Sequence, residues 1–232
     1  MNSTSESLNT ILKEIFARGD FDSLREPLHK NHHQPVKVIS FPTVHENDSE
    51  PLTIIWPDIQ NGPWIAGGAC LRWYQGQPVG ESDIDVFCAN AKQAADLIAE
   101  IKSYGRYSVK FESENAVTLE YQSHESWKNR WTIQIITRRY FSSLNEVIDN
   151  FDISVCQIGT GGQEWLLGST TAKDIREKNL RMRMPLQPDA AKRLVKYWTY
   201  GYRPVEGLLD AVRFNPNGKW KYDINDTYQN AF

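Results

Sequence analysis

Two short segments constrain this chain more than any other feature: the glycine pair Gly67-Gly68 and the acidic stretch Asp83-Ile84-Asp85. The apolar run 64–66 leads into the glycines as a short buried strand would, and helix-forming residues 69–75 follow them. Adjacent glycines let backbone N–H groups approach an anion closely. Because side chains alternate along a strand, both carboxylates are expected on one face. The order predicts a polyphosphate site beside a site for divalent cations.

Each of these two segments also has a purely structural interpretation. A glycine pair is commonly a tight turn, and Asp-Ile-Asp can be the solvated part of an ordinary strand. The residues Gly76-Gln77-Pro78 end the predicted helix with helix-breaking residues before the acidic strand begins. The order of strand, glycines, helix, breaker and acidic strand favours the binding interpretation.

In this region the chain resembles the tRNA nucleotidyltransferase and poly(A) polymerase head of the polymerase-β-like superfamily. That family's pattern is Gly-Gly-Ala, an Arg, an apolar helix, Gly-x-Pro and Asp-x-Asp. The matching residues here are Gly67, Gly68, Ala69, Arg72, Gly76, Pro78, Asp83 and Asp85. Residues 151–157 are similar to the family's Arg-Asp-Phe-Thr-Ile-Asn motif, with Phe151 replacing the Arg. Residues 188–194 are similar to its Glu-Asp-x-x-Arg helix, with Lys192 where Arg is expected.

The resemblance implies specific site residues. It implies catalytic roles for Asp83, Asp85 and Asp152, and makes Asp83 and Asp85 the ligands of Mg²⁺, with two ions expected. Nucleotide contacts are implied for seven residues: Gly67, Gly68, Arg72, Asp189, Lys192, Arg193 and Lys196.

Many members of the wider superfamily have a third catalytic acid besides the Asp-x-Asp pair, and its counterpart in this chain has three open interpretations. In the wider superfamily a later strand carries it, and the matching strand here is Ile133-Gln134-Ile135, with an amide in the acidic position. Asp152 either replaces that acid or only holds the start of a strand by hydrogen bonding. In the third interpretation two acids are enough.

The resemblance and the hydrophobic pattern together predict an α/β (α+β) fold, a nucleotidyltransferase head with a mixed sheet flanked by helices, followed by a short helical neck. The predicted division is a head with an N-terminal helical extension at residues 1–165, then a neck and polar tail at residues 166–232. Strands are predicted at 36–39, 52–56, 64–66, 83–87, 106–111, 116–122, 131–137 and 152–158. Helices are predicted at 5–17, 69–75, 94–101 and 142–150, with a helical pattern from about residue 170.

Composition limits the remaining possibilities. Hydrophobic residues make up 40% of the 232 residues, which suffices for a globular core, and no apolar run is long enough to span a membrane. Residues 1–6 lack the pattern of a signal peptide, and the three cysteines lack metal-ligand spacing, so a cytoplasmic location is predicted. His29, His32, His33 and His45 are interpreted as solvated loop residues rather than a zinc site.

The formal net charge of −3 gives no general attraction to nucleic acid, so any such surface must be local. The segment 173–203 is basic and contains four aromatic residues near its end: Tyr197, Trp198, Tyr200 and Tyr202. It is either a groove for a nucleotide or RNA, or a solvated helix face whose aromatic side chains pack inward. For the aromatic side chains the inward interpretation is favoured. For Lys192, Arg193 and Lys196 nucleotide contact is favoured.

These observations lead to a first hypothesis of a Mg²⁺-dependent nucleotidyltransferase. It would transfer an NMP from an NTP, with ATP as the expected donor, to a hydroxyl acceptor. The resemblance implies an RNA 3′ end, while small-molecule and protein hydroxyls and the synthesis of a nucleotide signal stay open. The alternative is a catalytically inactive nucleotide- or RNA-binding module that retains the fold. A third hypothesis is an interaction protein that docks through the predicted N-terminal amphipathic helix. The selected base and the oligomeric state stay open.

Overall fold

The computed structural model describes residues 36–38, 49–79, 82–121 and 131–213. Over these ranges the helices are α1 (Ser49–Ile55), α2 (Gly68–Tyr74), α3 (Ala91–Ser103), α4 (Leu144–Asp149), α5 (Thr171–Glu177), α6 (Ala190–Thr199) and α7 (Leu208–Arg213). The strands are β1 (Val36–Val38), β2 (Trp64–Ala66), β3 (Ile84–Phe87), β4 (Tyr107–Glu112), β5 (Ala116–Tyr121), β6 (Thr132–Ile136), β7 (Ile158–Thr160), β8 (Trp165–Leu167), β9 (Asn179–Leu180) and β10 (Arg203–Pro204).

The main sheet formed by the described residues has eight strands in the order β1-β8-β7-β2-β3-β6-β5-β4. β3 and β6 pair in parallel, and the other neighbouring strands pair antiparallel. The sheet is therefore mixed, as the sequence predicts, and the acidic strand β3 lies in its middle.

Alternation along the central strands separates two faces of the sheet. Ile84 and Val86 of β3 are fully buried, as are Ile133 and Ile135 of β6, whereas Asp85 is only half-buried. Because side chains alternate, these apolar residues lie on one face and the polar residue between them on the other. The buried face anchors both strands to the core.

The second face carries a hydrophobic cluster next to the polar residues. Trp64, Phe87 and Phe141 pack there with side chains of α4, and the rings of Phe87 and Phe141 meet edge to face at 5.6 Å. Phe87 is two residues after Asp85 and therefore shares its face. The cluster thus covers this face directly beside the acidic strand.

Most secondary-structure predictions are confirmed within one to three residues at each end. The clear error is residues 52–56, which were predicted as a strand but lie in and just after helix α1. A short apolar run such as Leu-Thr-Ile-Ile-Trp does not distinguish a strand from a buried helix by periodicity. The prediction for 152–158 is also wrong: Ile153 forms only an isolated bridge, a 3-10 turn follows at Ser154–Cys156, and β7 begins at Ile158.

The chain divides into two compact units. In described residues, one contains 36–38, 49–79, 82–121, 131–151 and 155–172, with the eight-stranded sheet. The other contains 152–154 and 173–213, including α6, α7 and the short parallel pair β9–β10. The helical pattern predicted from residue 170 is only partly confirmed, because these two strands interrupt the helices. The predicted head–neck boundary after residue 165 stays a prediction.

Several predicted features lie outside the described residues: the N-terminal helix at 5–17, the four histidines His29, His32, His33 and His45, and the polar tail from Asn215. Within the ranges that are described, none of the helices has the length and apolarity needed to cross a membrane.

Candidate nucleotide and metal site

Gly67 joins strand β2 to helix α2 in a backbone conformation that side chains disfavour. Its φ is +88°, in the left-handed region that favours glycine, and it is the N-cap residue of α2. Its N–H donates to the Ile158 carbonyl oxygen at 2.9 Å. Gly67 therefore shapes the turn, and its own N–H group is engaged within the sheet.

Gly68 is the first residue of helix α2 and is half-buried. A Cβ atom on Gly68 would have no heavy atom of any other described residue within 4 Å, apart from its two chain neighbours and the backbone of its own helix. The first donor inside the helix is Leu71, whose N–H bonds the Gly67 carbonyl oxygen at 3.0 Å. The N–H of Gly68 precedes that donor and is directed beyond the helix end. Of the two glycines, Gly68 is the one with open space beside it.

Asp85 is directed toward this glycine turn. Its Oδ2 atom lies 3.8 Å from the point where a Cβ atom on Gly67 would be. The negative charge of Asp85 also acts on the Cys70 thiol in helix α2: burial raises the pKa of Cys70 well above its usual value, and Asp85 raises it further. The structure therefore brings together Gly67 and Asp85, two residues of the predicted site.

Phe151, which replaces the Arg of the family pattern, forms a wall of this region. Its ring carbons lie 2.9 and 3.0 Å from the Cβ position of Gly67, and its ring meets that of Phe87 edge to face at 5.8 Å. A side chain at position 67 would collide with this ring. The sequence shows the Phe in place of Arg, but nothing in the local pattern indicates that it packs on the glycine turn.

Asp83 and Arg72 lie at the margins of the site. Asp83 is exposed and precedes the first residue of β3 by one position, two residues before Asp85. Arg72 lies in the last turn of α2, at the opposite end from Gly68, and its Nη1 donates to the Pro78 carbonyl oxygen at 3.3 Å. This hydrogen bond gives Arg72 a local role in closing the turn after α2.

An amide lies beside the acidic strand. Gln134 of β6 is the register partner of Asp85, and Thr118 of β5 is in turn the partner of Gln134. The Gln134 Nε2 donates to the Thr118 hydroxyl oxygen at 3.5 Å. Among the residues that the structure describes, no group of three or more Asp, Glu, His or Cys side chains is arranged to hold a metal ion. Of the two acids predicted as metal ligands, Asp85 lies in β3 and Asp83 directly precedes this strand.

The second unit brings together three other predicted residues. The guanidinium of Arg193 donates to Asp189 at 2.8 Å through Nε and to Asp152 through Nη1. Asp152 also accepts the N–H of Arg183 with its backbone carbonyl, at 2.6 Å. Burial raises the pKa of Asp152 although the Arg193 charge opposes it. Asp152 thus forms an ion pair with Arg193 and a backbone hydrogen bond with Arg183, and its catalytic or structural role stays a prediction.

Lys192 and Lys196 are exposed on helix α6. The aromatic side chains of this segment mostly pack inward, as favoured: Tyr197 and Tyr202 are buried, and Tyr200 is exposed. The Arg203 guanidinium lies 4.4 Å from the centroid of the Trp198 ring, a cation–π contact that the sequence did not indicate. At least one cation of this basic segment, Arg203, therefore contacts an aromatic ring of the same segment.

Comparisons with known proteins identify the family and the fold of this chain. The sequence model of the Gad2 family, described as Gabija anti-defense 2 family protein, matches residues 39–178. No curated protein matches the chain.

Among solved structures, a CCA-adding enzyme in complex with CTP has a TM-score of 0.50 and 14% identity, over 66% of this chain and 39% of that one. A CCA-adding enzyme in complex with ATP has a TM-score of 0.50 and 16% identity, over 65% and 38%. The Thermotoga maritima CCA-adding enzyme complexed with tRNA has a TM-score of 0.47 and 16% identity, over 65% and 37%. The chain spans less than two fifths of these enzymes. At 14% and 16% identity, the similarity to the two structures with a TM-score of 0.50 establishes a nucleotidyltransferase-like fold.

Proposed function

The chain belongs to the Gad2 family, the Gabija anti-defense 2 proteins, and from this premise we propose that it is a Mg²⁺-dependent nucleotidyltransferase. It transfers an NMP from an NTP, with ATP as the expected donor, to a hydroxyl acceptor. One observation carries the proposal: the Asp85 carboxylate lies beside the glycine turn, with its Oδ2 atom 3.8 Å from the Cβ position of Gly67. The next residue, Gly68, has open space at its Cβ position, and the triphosphate of the proposed donor lies there.

The donor set of the site fits magnesium. Mg²⁺ is commonly bound by one or two carboxylates together with phosphate oxygens and water, and Asp83 and Asp85 supply two carboxylates. When bound, the ion neutralises triphosphate charge and lowers the pKa of the attacking hydroxyl. Asp83 and Asp85, at the N-terminal end of β3, hold the NTP donor. The Gly68 N–H donates to one of its phosphate oxygens. The Phe151 ring excludes water from the Gly67 side of the triphosphate.

The proposed transfer is a single displacement at phosphorus. The acceptor hydroxyl oxygen bonds to the α-phosphorus, and the bond from that phosphorus to the β-bridging oxygen breaks. Pyrophosphate leaves with the electron pair of that bond, and the hydroxyl proton passes to solvent. Positioning and charge neutralisation provide most of the catalysis in such reactions, so a site with few side chains is sufficient.

The test is pyrophosphate release from labelled NTPs with Mg²⁺, in the presence of RNA, protein and nucleotide acceptors. The wild-type chain is expected to release pyrophosphate with at least one acceptor. The variant Asp83→Ala/Asp85→Ala is expected to lose this activity. Asp96→Ala is the control, because Asp96 is an exposed acid of α3 whose ion pair with Lys92 is solvated. No release by the wild-type chain with any acceptor would contradict the proposal.

A second candidate function is a nucleotide- or RNA-binding module without catalysis. Two observations favour it: the register partner of Asp85 is Gln134 rather than an acid, and Phe151 replaces an Arg beside Gly67. Such a module would act by binding and sequestering its nucleotide or RNA ligand.

The two candidates predict different results in cells. The family description leads us to propose that the chain acts against the Gabija defence, so cells with that defence active provide the assay. An enzyme would lose its effect in the Asp83→Ala/Asp85→Ala variant, and a binding module would keep it. Equal amounts of soluble wild-type and variant protein are the required control.

A further inference from the structure

A surface cavity of about 480 Å³ lies between helix α1 and the connection from β7 to β8. It is lined by Leu52 and Thr53 of α1, by the segment 56–59 and by the connection 161–164. Cavities of this size commonly hold small ligands. None of the residues predicted to bind nucleotide or metal is part of this lining.

The cavity and the candidate nucleotide site lie at opposite ends of strand β2. The Ile158 carbonyl oxygen in β7 accepts the N–H of Gly67, which directly follows β2. Thr160 of β7 pairs with Ile65, and the connection 161–164 continues from there toward the start of β2. A ligand in the cavity is therefore separate from a ligand at the nucleotide site.

A glycine and a buried hydroxyl hold the walls of the cavity in place. A Cβ atom on Gly161 would lie 2.3 Å from the backbone of Ile59, so this close approach requires glycine. The Thr160 hydroxyl oxygen lies 2.9 Å from the carbonyl oxygens of Gly162 and Glu164. The cavity is thus formed before a ligand enters, which reduces the entropic cost of binding.

Trp56 directly follows α1 in a strained backbone conformation. Its φ is +45°, which a bulky residue rarely adopts and which glycine ordinarily takes at the end of a helix. Its side chain is 71% exposed, so packing on the described residues does little to offset the strain. Backbone strain of this kind is concentrated at functional positions. The exposed indole ring is therefore placed to stack on a ligand of the cavity.

The charge of the lining is negative. Asp58 accepts hydrogen bonds from the Gln60 N–H at 2.8 Å and from the Asn61 Nδ2 at 3.0 Å, and these bonds lower the pKa of its carboxyl. Both donors are neutral, and no cation among the described residues forms an ion pair with Asp58. Glu164 also lines the cavity, whereas no Lys, Arg or His does so within the described ranges. A cationic ligand matches this charge.

We propose that this cavity binds an arginine side chain of a protein partner, with the guanidinium stacked on Trp56 and paired with Asp58. A planar guanidinium stacks on an indole face and pairs with a carboxylate through two parallel hydrogen bonds. The aliphatic stem of an arginine fits the apolar part of the lining, which Leu52, Pro57 and Ile59 provide. Free arginine is disfavoured, because the acidic lining repels its own carboxylate.

The test measures binding of a fluorescently labelled peptide with a central Arg and blocked termini by the full chain, using fluorescence anisotropy. Trp56→Ala and Asp58→Asn are each expected to weaken binding about tenfold. A peptide with citrulline in place of Arg keeps the shape without the charge, and it should bind about tenfold more weakly. Tyr104→Ala is the matched control, because Tyr104 is an exposed ring at the end of α3 that does not line the cavity.

Trp56→Gly distinguishes ligand binding from a structural role of the ring. Glycine takes a φ of +45° without strain, so the Tm is expected to be equal or higher while peptide binding is lost. A lower Tm together with unchanged peptide affinity would assign the ring to the fold and overturn the proposal.

Loss of binding in Trp56→Ala and Asp58→Asn but not in Tyr104→Ala, together with a preference for Arg over citrulline, supports the site. No binding by the wild-type chain up to about 1 mM peptide overturns it. Equal binding of the citrulline peptide or tighter binding of free arginine also overturns it. So does Trp56-dependent binding of a single-stranded oligonucleotide or of a second copy of the chain. Pyrophosphate release does not involve this cavity, so the peptide test and the test of the proposed transferase can each fail without the other.

Discussion

Asp85 and Gln134 face each other across the only parallel strand pair of the eight-stranded sheet described here. An amide thus lies opposite Asp85, at the strand position where the superfamily resemblance predicts a third acid. The half-buried pair shares one face of β3 and β6, and the Gln134 amide is turned toward Thr118 in β5. Replacing Gln134 with the isosteric Glu would therefore add one negative charge next to Asp85.

Gln134→Glu adds that third carboxylate without changing side-chain size. Without metal, the like charges of Glu and Asp85 are expected to lower stability by about 0.2–1 kcal/mol. With Mg²⁺ bound, this repulsion is relieved. The difference in Tm between Mg²⁺ and EDTA is therefore expected to be larger than in the wild-type chain, as measured by thermal unfolding. Gln163→Glu adds the same charge at an exposed position in the turn between β7 and β8, and it should leave this difference unchanged.

The two glycines are expected to respond differently to alanine. Gly67→Ala places a Cβ atom 2.9 Å from the Phe151 ring in a backbone with a φ of +88°, so we expect a loss of about 2 kcal/mol or more. Gly68→Ala meets open space in helical backbone, so stability should be unchanged or higher by up to ~1 kcal/mol. Denaturant unfolding measures both changes.

The affinity for ATP distinguishes the binding interpretation of the glycine pair from the structural one. The added methyl group of Gly68→Ala occupies the space proposed for the triphosphate, and calorimetric titration with ATP and Mg²⁺ should show weaker binding. A stable Gly68→Ala variant with unchanged ATP affinity would limit the glycine pair to a structural turn.

Asp152 predicts a pH dependence of stability. Burial raises its pKa from 3.8, so the folded chain holds this proton more tightly than the unfolded chain. From this group alone, stability is highest at low pH and falls as pH rises from about 4 through the raised pKa. Asp152→Asn lacks this titration, and Arg193 keeps its bond to Asp189. Calorimetry across this window should show the wild-type Tm falling relative to that of the variant. The opposite trend would show that Arg193 outweighs burial.

The thiols are expected to be unreactive in the folded chain. Burial raises the pKa of Cys88 to about 12 and that of Cys70 well above its usual value, and Cys156 is also buried. At pH 8 only about one Cys88 thiol in ten thousand is ionised, and the thiolate is the reactive form. Labelling with a thiol reagent should be slow in buffer and fast in denaturant. Rapid labelling of Cys88 under native conditions would indicate local opening of the sheet end after β3.

Local sequence patterns determined much of the sheet, including the strand that carries Asp85. Alternation in residues 83–87 predicts β3, and the glycine pair predicts the turn before α2. These predictions succeed because the side-chain period and the glycine backbone depend on neighbouring residues alone. The same reasoning failed for residues 52–56, where a short apolar run is compatible with both helix and strand.

The tertiary structure alone decided which distant residues meet. Phe151 packs against Gly67, Gln134 lies beside Asp85, and a bulge in β4 places Phe111 opposite Thr118. Strand order, register and bulges arise from packing across the whole sheet, and a shift of one residue moves a side chain to the other face. The sequence therefore determined the chemical groups of this site, and the packing of the sheet determined their neighbours.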